Sequence, residues 1–167
     1  MMLEIGPLRE DDPARFEAAF AAIGWSKPAA QFEQYLAEQA QGRRAVLVAR
    51  LDGEFAGYVT VDWVSPYQPF AEAGVPEVRD FNVLPHFRRR GIGTRLMDAA
   101  EALIAEHSPT AGIGVGLYPD YGPAQRLYVL RGYVPDARGI AWDNTSVAPG
   151  QTVAVDDDLA LYFTKAL

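Results

Sequence analysis

The sequence contains no cysteine, which excludes disulfides, thiolate metal sites and a cysteine nucleophile. Histidine is almost as scarce. Only His86 and His107 occur, far apart in the chain, so no metal site is expected. Positive charge is in deficit: 15 Lys and Arg stand against 22 Asp and Glu, a formal net charge of −7. That balance argues against nucleic acid as a partner and for a cationic one. No run approaches the roughly 18 consecutive apolar residues of a membrane-crossing helix. Residues 1–9 include Glu4 and lack the apolar stretch and cleavage site of a secretory signal. No membrane partner is expected, and the expected location is cytoplasmic.

What remains is an ordinary globular composition. The 167 residues are 49% hydrophobic and 22% charged, enough for one cored domain over residues 1–167. No repeat, low-complexity linker or boundary interrupts it.

The first third reads as helix. Asp11 or Asp12 can cap, Pro13 fits the first turn, and Phe16, Phe20 and Ile23 recur on one helical face before Gly24. A second helix begins near Pro28, with Phe32, Tyr35 and Leu36 on one side and Gly42 as its stop. Residues 45–51 and 54–64 flank Asp52-Gly53, the strongest short signal for an antiparallel hairpin. Residues 65–74 hold Pro66, Pro69 and Gly74 and read as a loop, whose Tyr67 and Phe70 are expected to pack down rather than face a ligand.

Residues 76–84 read as a third strand, 91–107 as a helix, 111–118 as a strand and 123–131 as a short helix stopped by Gly132. Late strands are expected at 153–155 and 159–163, around Asp156-Asp157-Asp158. Strand–helix–strand–helix order behind a hairpin points to an α/β protein with a mixed sheet.

The chemistry concentrates at residues 83–96. A strand ends at Leu84, a basic loop follows, and Gly91 and Gly93 open a helix. The first turn of a helix leaves amides unpaired and carries a positive partial charge, and glycine lets a ligand approach that backbone. Arg88, Arg89, Arg90 and Arg95 add four cations within eight positions of an acidic chain. Arginine at a helix start opposes the helix dipole unless an anion is bound there, so this is read as a phosphate or pyrophosphate site. A Walker loop is excluded because no Gly-Lys-Ser/Thr ending is present. The dinucleotide fingerprint fails at Leu96, where Gly or Ala is required, and residues 111–118 lack its acidic residue.

The order Arg88-x-x-Gly91-x-Gly93 after a strand resembles the acyl-CoA loop of the GNAT family of N-acetyltransferases, whose pattern is Arg or Gln, two residues, Gly, one residue, Gly or Ala. Downstream, residues 124–133 (AQRLYVLRGY) resemble that family's Ala-x-x-Leu-Tyr-x-x-x-Gly-Phe block. Together the two blocks make the resemblance sharp over residues 76–134. It implies a single-domain GNAT-like α/β fold, a mixed, largely antiparallel sheet flanked by helices. It implies an N-acetyltransferase moving acetyl from acetyl-CoA to an amine acceptor by direct attack in a ternary complex. A homodimer is compatible by analogy. The alternative is a non-catalytic acyl-CoA-binding sensor.

The resemblance also implies site residues. The strand backbone at Phe81, Asn82 and Val83 would line the pantetheine arm. Arg88 and the backbone of Arg89, Arg90, Gly91, Ile92, Gly93 and Thr94 would hold the pyrophosphate. Tyr128 is the catalytic acid candidate, since a phenol of ordinary pKa about 10 within reach can protonate a departing thiolate. A protonated amine cannot attack, so a base is needed. Glu77 is preferred for it. Alternation places Glu77, Arg79, Phe81 and Val83 on one face and Asp80 and Asn82 on the other, with Arg79 as an ion-pair partner for either acid. His86 is expected at the surface. Gly112, Gly114 and Gly116 alternate, leaving one face open to a helix or the cofactor. Tyr121 stands where many family members carry Asn, which puts one cofactor contact in doubt.

Overall fold

The Asp52-Gly53 turn frames the first half of the molecule. Both residues adopt positive φ, 51° and 83°, as a type I′ hairpin demands. They join β2 (Arg44–Leu51) to β3 (Glu54–Asp62) in an antiparallel pair. The structure, a computed structural model, describes residues 1–167. It divides into two units, Met1–Trp63 with Arg79–Leu103, and Val64–Val78 with Ile104–Leu167. No helix is long and apolar enough to cross a membrane.

In the first unit the strand order is β1 (Leu3–Pro7), β2, β3, β4 (Glu77–Val83). β1 pairs antiparallel with β2, although residues 3–7 give no strand signal in sequence. Its Gly6 and Pro7 suit an edge strand, where missing donors cost little. β4 runs opposite to β3: the Thr60 hydroxyl donates to the Arg79 carbonyl, and the Leu84 amide donates to the Ala56 carbonyl. The two backbones lie close at Gly57, where a Cβ would stand 2.5 Å from the Asn82 carbonyl oxygen.

Helices α1 (Asp12–Ala21) and α2 (Ala29–Ala40) fall where the apolar spacing puts them. Phe16, Phe20 and Phe32 are buried. Phe16 stacks on Phe55 with ring centroids 3.7 Å apart, and Phe32 meets Tyr58 edge-on at 5.4 Å. Each such pair contributes about 0.5–1.5 kcal/mol beyond its buried area. The expected side-chain cap of α1 is not made. Asp12 instead accepts from the Arg9 amide at 2.7 Å and from Arg50 Nη2 at 2.5 Å, because buried Arg50 needs a counter-ion more than the helix needs a cap. Glu17 of α1 accepts from the Ala29 amide and so serves the start of α2.

A polar ladder ties α2, β2, β3 and β4 together. Arg44 bonds Glu38 at 2.5 Å, Asp62 at 2.9 Å and the Thr60 hydroxyl at 2.8 Å. Arg79 bonds the other Asp62 oxygen at 2.9 Å. Asp62 is thus a partner of Arg79 that the sequence reading, which offered Glu77 or Asp80, did not foresee.

In the second unit the order is β4, β5 (Thr110–Gly116), β8 (Leu159–Ala166), β6 (Val134–Trp142), β7 (Thr145–Ser146). β4 and β5 pair in parallel at Glu77–Gly112 and Val78–Ile113, and the β5–β8, β8–β6 and β6–β7 pairings are antiparallel. β6 and β7 escaped the sequence reading. β6 carries a register shift between Pro135 and Ile140, with Ala137 and Gly139 at positive φ, which destroys the alternation a strand would show. Residues 153–155, expected as a strand, are irregular. Residues 65–74, expected as a loop, contain the short helix α3 (Gln68–Ala73), ended by Gly74 at φ 66°. Tyr67 and Phe70 pack down as expected. Tyr67 stacks on Tyr162 at 3.7 Å, and Phe70 meets the same ring edge-on at 5.4 Å.

The glycine face of β5 admits a helix at one end, through Phe70 of α3. A Cβ at Gly112 would overlap the Phe70 ring, one at Gly116 would overlap Tyr121, and one at Gly114 would stand 2.9 Å from Tyr162. Aromatic rings occupy the space the glycines leave. Helices α4 (Ile92–Ala105) and α5 (Gly122–Leu130) complete the element order.

Candidate active site

The basic loop of the first unit is built by backbone conformation. β4 ends at Val83, Pro85–Phe87 forms a 3-10 turn, and α4 begins at Ile92. Arg89 and Gly91 both adopt positive φ, 60° and 75°, a reversal that leads the chain into the helix. Arg89 is a bulky residue in the left-handed region, where backbone strain commonly marks a ligand site. Gly93 packs tightly, its Cβ position 3.1 Å from the Phe81 ring and 3.7 Å from Val83, so the start of α4 lies directly on β4.

Arg88, Arg89, Arg90 and Arg95 are all exposed, and none pairs with a carboxylate. Arg88 donates Nε to the Val83 carbonyl at 3.2 Å and lies 5.9 Å from the Trp25 ring. Arg90 lies 5.7 Å from the Phe87 ring. Arg88, Arg89 and Arg90 precede α4 and Arg95 lies in its first turn, so four exposed cations share one short segment with the leading amides of that helix. His86 is exposed beside Phe87, a surface residue as expected.

A second polar centre lies at Asp80, which is found at φ 50° within β4. Left-handed backbone there breaks the alternation that sequence spacing assumed. The Asp80 carboxylate accepts from Lys27 at 3.1 Å, Gln31 at 3.0 Å, Tyr35 at 2.9 Å, Tyr58 at 2.5 Å and Asn82 at 2.9 Å. Burial foremost, and then the charge of Asp80, pushes the Tyr35 and Tyr58 phenols far above their ordinary range. Lys27, Gln31, Tyr35 and Tyr58 were not read as site residues. The only trace of Gln31, Tyr35 and Tyr58 in sequence is polar groups on α2 and β3, a signal too common to single them out, and Lys27 in the connection before α2 leaves none.

Glu77 and Tyr128 belong to the second unit. Glu77 is 3% exposed and accepts from the Ser65 hydroxyl at 2.7 Å. Ser65 in turn accepts from the Tyr67 amide at 2.9 Å, which fixes its orientation. Tyr128 projects from α5, where Pro123 occupies the first turn. Its side chain is buried, and burial pushes its phenol up to about 12. Tyr121 donates its hydroxyl to Asp157 at 2.8 Å, and Tyr118 donates to the same carboxylate oxygen. Tyr121 therefore acts as an aromatic filler and an anchor of the 156–158 turn. No cluster of His, Asp and Glu able to hold a metal is present.

Comparison with known proteins accounts for this arrangement. Residues 9–133 match the model of the acetyltransferase (GNAT) family. An uncharacterized N-acetyltransferase of Archaeoglobus fulgidus is 38% identical over 72 residues, which is 42% of this chain and 48% of that protein, so the match spans about half of the relative's length. A putative GNAT acetyltransferase from Desulfovibrio desulfuricans superposes with a TM-score of 0.72 at 14% identity, covering 99% of each chain. NAA60 of Arabidopsis thaliana, solved in complex with acetyl-CoA, superposes at 0.70 with 16% identity, covering 99% of each chain. Ribosomal-protein-alanine N-acetyltransferase of Brucella melitensis gives 0.70 at 19% identity, covering 98% of this chain and 99% of its own. At these identities the superpositions establish the fold, and the family model, spanning most of the chain, establishes the lineage: the protein belongs to the acetyltransferase (GNAT) family.

Proposed function

We propose that the protein is an N-acetyltransferase that uses acetyl-CoA to acetylate an amine, by direct attack within a ternary complex. The observation that carries this reading is the loop at residues 88–94, with left-handed Arg89 and Gly91 and exposed guanidinium groups that pair with no carboxylate, leading into α4. Family membership supports reading the anion as a CoA pyrophosphate, and we assign the backbone at Phe81, Asn82 and Val83 to the pantetheine arm.

Acetyl-CoA supplies the activated acetyl group. Glu77 is assigned the role of base, taking the proton that frees the amine lone pair for attack. Tyr128 is assigned the departing sulfur. With its phenol pushed up to about 12, it stays protonated across the physiological range and is always available as a donor. Full transfer to a thiolate of ordinary pKa about 8.5 is uphill by roughly 5 kcal/mol, so its contribution is a hydrogen bond to the negative charge developing on sulfur, and the departed thiolate takes its proton from solvent. The net charge of −7 suits a cationic acceptor, a small amine or a protein amine, over nucleic acid.

Thermal unfolding with saturating acetyl-CoA, with ATP and NAD as controls, tests the cofactor. A ligand at 100 times its Kd stabilises by about 2.7 kcal/mol, a shift of several degrees at this size. A shift with acetyl-CoA alone supports the assignment, and no shift removes it. The burial of both Glu77 and Tyr128 also suits a binding-only acyl-CoA sensor. Amine-dependent release of free thiol separates the enzyme from the sensor.

A further inference from the structure

The Asp80 carboxylate is saturated. A carboxylate offers about four lone-pair positions, and five donors converge on this one. Gln31, Tyr35 and Tyr58 take Oδ2, while Asn82 and Lys27 share Oδ1. Four of the five are neutral and sit on α2, β3 and β4. Lys27 alone carries charge, and it reaches in from the connection between α1 and α2. Its ammonium also lies 5.7 Å from the Phe20 ring and 5.8 Å from the Tyr58 ring, within cation–π range of both. The Lys27 and Asp80 side chains are each 20% exposed, so the place is reachable from solvent.

One carboxylate lone pair and two aromatic rings form a seat for an alkylammonium ion, and the chain's own lysine fills it. Removing Lys27 leaves four fixed neutral donors, an uncompensated negative charge and room for one ammonium group. An ammonium held there has its nitrogen lone pair tied up in an N–H bond and cannot attack a thioester, so the attacking amine must be a different one. We propose that the seat binds a second, non-reacting ammonium of the acceptor, which is therefore a diamine or polyamine, and that Lys27 is a resident pseudo-ligand the acceptor must displace. This inference rests on the acetyltransferase reading only in calling the ligand an acceptor.

Calorimetric titration of 1,5-diaminopentane into CoA-saturated protein, which holds no acetyl group to transfer, tests it without turnover. Lys27→Met is expected to bind the diamine at least threefold more tightly than wild type. Asp80→Asn is expected to bind it at least tenfold more weakly, and neutral 1,5-pentanediol is expected not to bind. Equal diamine affinity in wild type and Lys27→Met, or no binding to Lys27→Met, overturns the seat. Should Asp80→Asn fail to fold, the Lys27→Met comparison decides alone. An acetyl-CoA thermal shift that persists while diamine affinity ignores Lys27 removes this inference and leaves the enzyme reading intact, whereas loss of the shift itself removes that reading.

Discussion

Tyr58 donates its hydroxyl to Asp80 Oδ2 at 2.5 Å, and its ring is fully buried against Phe32 and Phe16. One side chain thus links the aromatic core of the first unit to its most heavily bonded carboxylate. Tyr58→Phe keeps the packing and deletes the donor. Hydrogen bonds to charged groups contribute about 1.5–3 kcal/mol, so the unfolding free energy should fall by that amount, read as a lower denaturation midpoint at constant m-value. A loss under about 0.5 kcal/mol would show that the remaining donors compensate fully.

Arg88→Ala should weaken acetyl-CoA binding by about 10-fold to 100-fold, the equivalent of one charge-assisted hydrogen bond. The Arg88 contacts are a carbonyl and the Trp25 ring, so unliganded stability should change little. Titration calorimetry and unliganded melting together check this. Unchanged affinity would place the pyrophosphate away from Arg88.

Tyr128→Phe should lower kcat by about 100-fold while leaving the Kd for acetyl-CoA within twofold, as expected for a donor used in the chemical step. Steady-state thiol release and equilibrium binding measure the two sides. An unchanged kcat would take Tyr128 out of the mechanism.

Stability should fall above about pH 10. Burial raises the Tyr128 phenol from 10.0 to about 12, and Tyr35 and Tyr58 move in the same direction. These groups keep their protons in the folded state while the unfolded chain has already lost them. The unfolded state then binds fewer protons, so unfolding becomes easier as pH rises. The stabilisation is complete below about pH 10 and is lost towards pH 12, with Tyr128 accounting for about 3 kcal/mol. Urea titrations at pH 9, 10 and 11 should show the decline, and Tyr128→Phe should make it shallower. A flat profile would contradict the burial of these phenols.

Gly57→Ala should destabilise by about 1–3 kcal/mol, because its Cβ would meet the Asn82 carbonyl oxygen at 2.5 Å and the Val83 Cα at 3.0 Å, both backbone atoms. That corresponds to roughly 2–12 °C in Tm at this size. Gly122→Ala, with nothing within 4 Å and a helical φ of −52°, is the control expected to cost nothing. Equal melting of the two variants would mean that β3 and β4 can part without cost.

What the sequence by itself determined is local. Asp52-Gly53 dictates a hairpin because both positions need left-handed backbone, and that turn forms. The apolar spacing of residues 16–36 dictates two helices, and the order of strand, basic loop, Gly91, Gly93 and helix marks the family. These signals lie within a few residues of one another, so each carries its own evidence. Tertiary structure decided the choice of partner. Asp12 abandoned a cap for Arg50, Arg79 chose Asp62, and Asp80 gathered donors from positions 27, 31, 35 and 58. Strand β6 paired despite a bulge that erased its alternation. Buried charges and backbone groups must find partners wherever the fold brings them, and no short-range pattern records which group across tens of residues will be there.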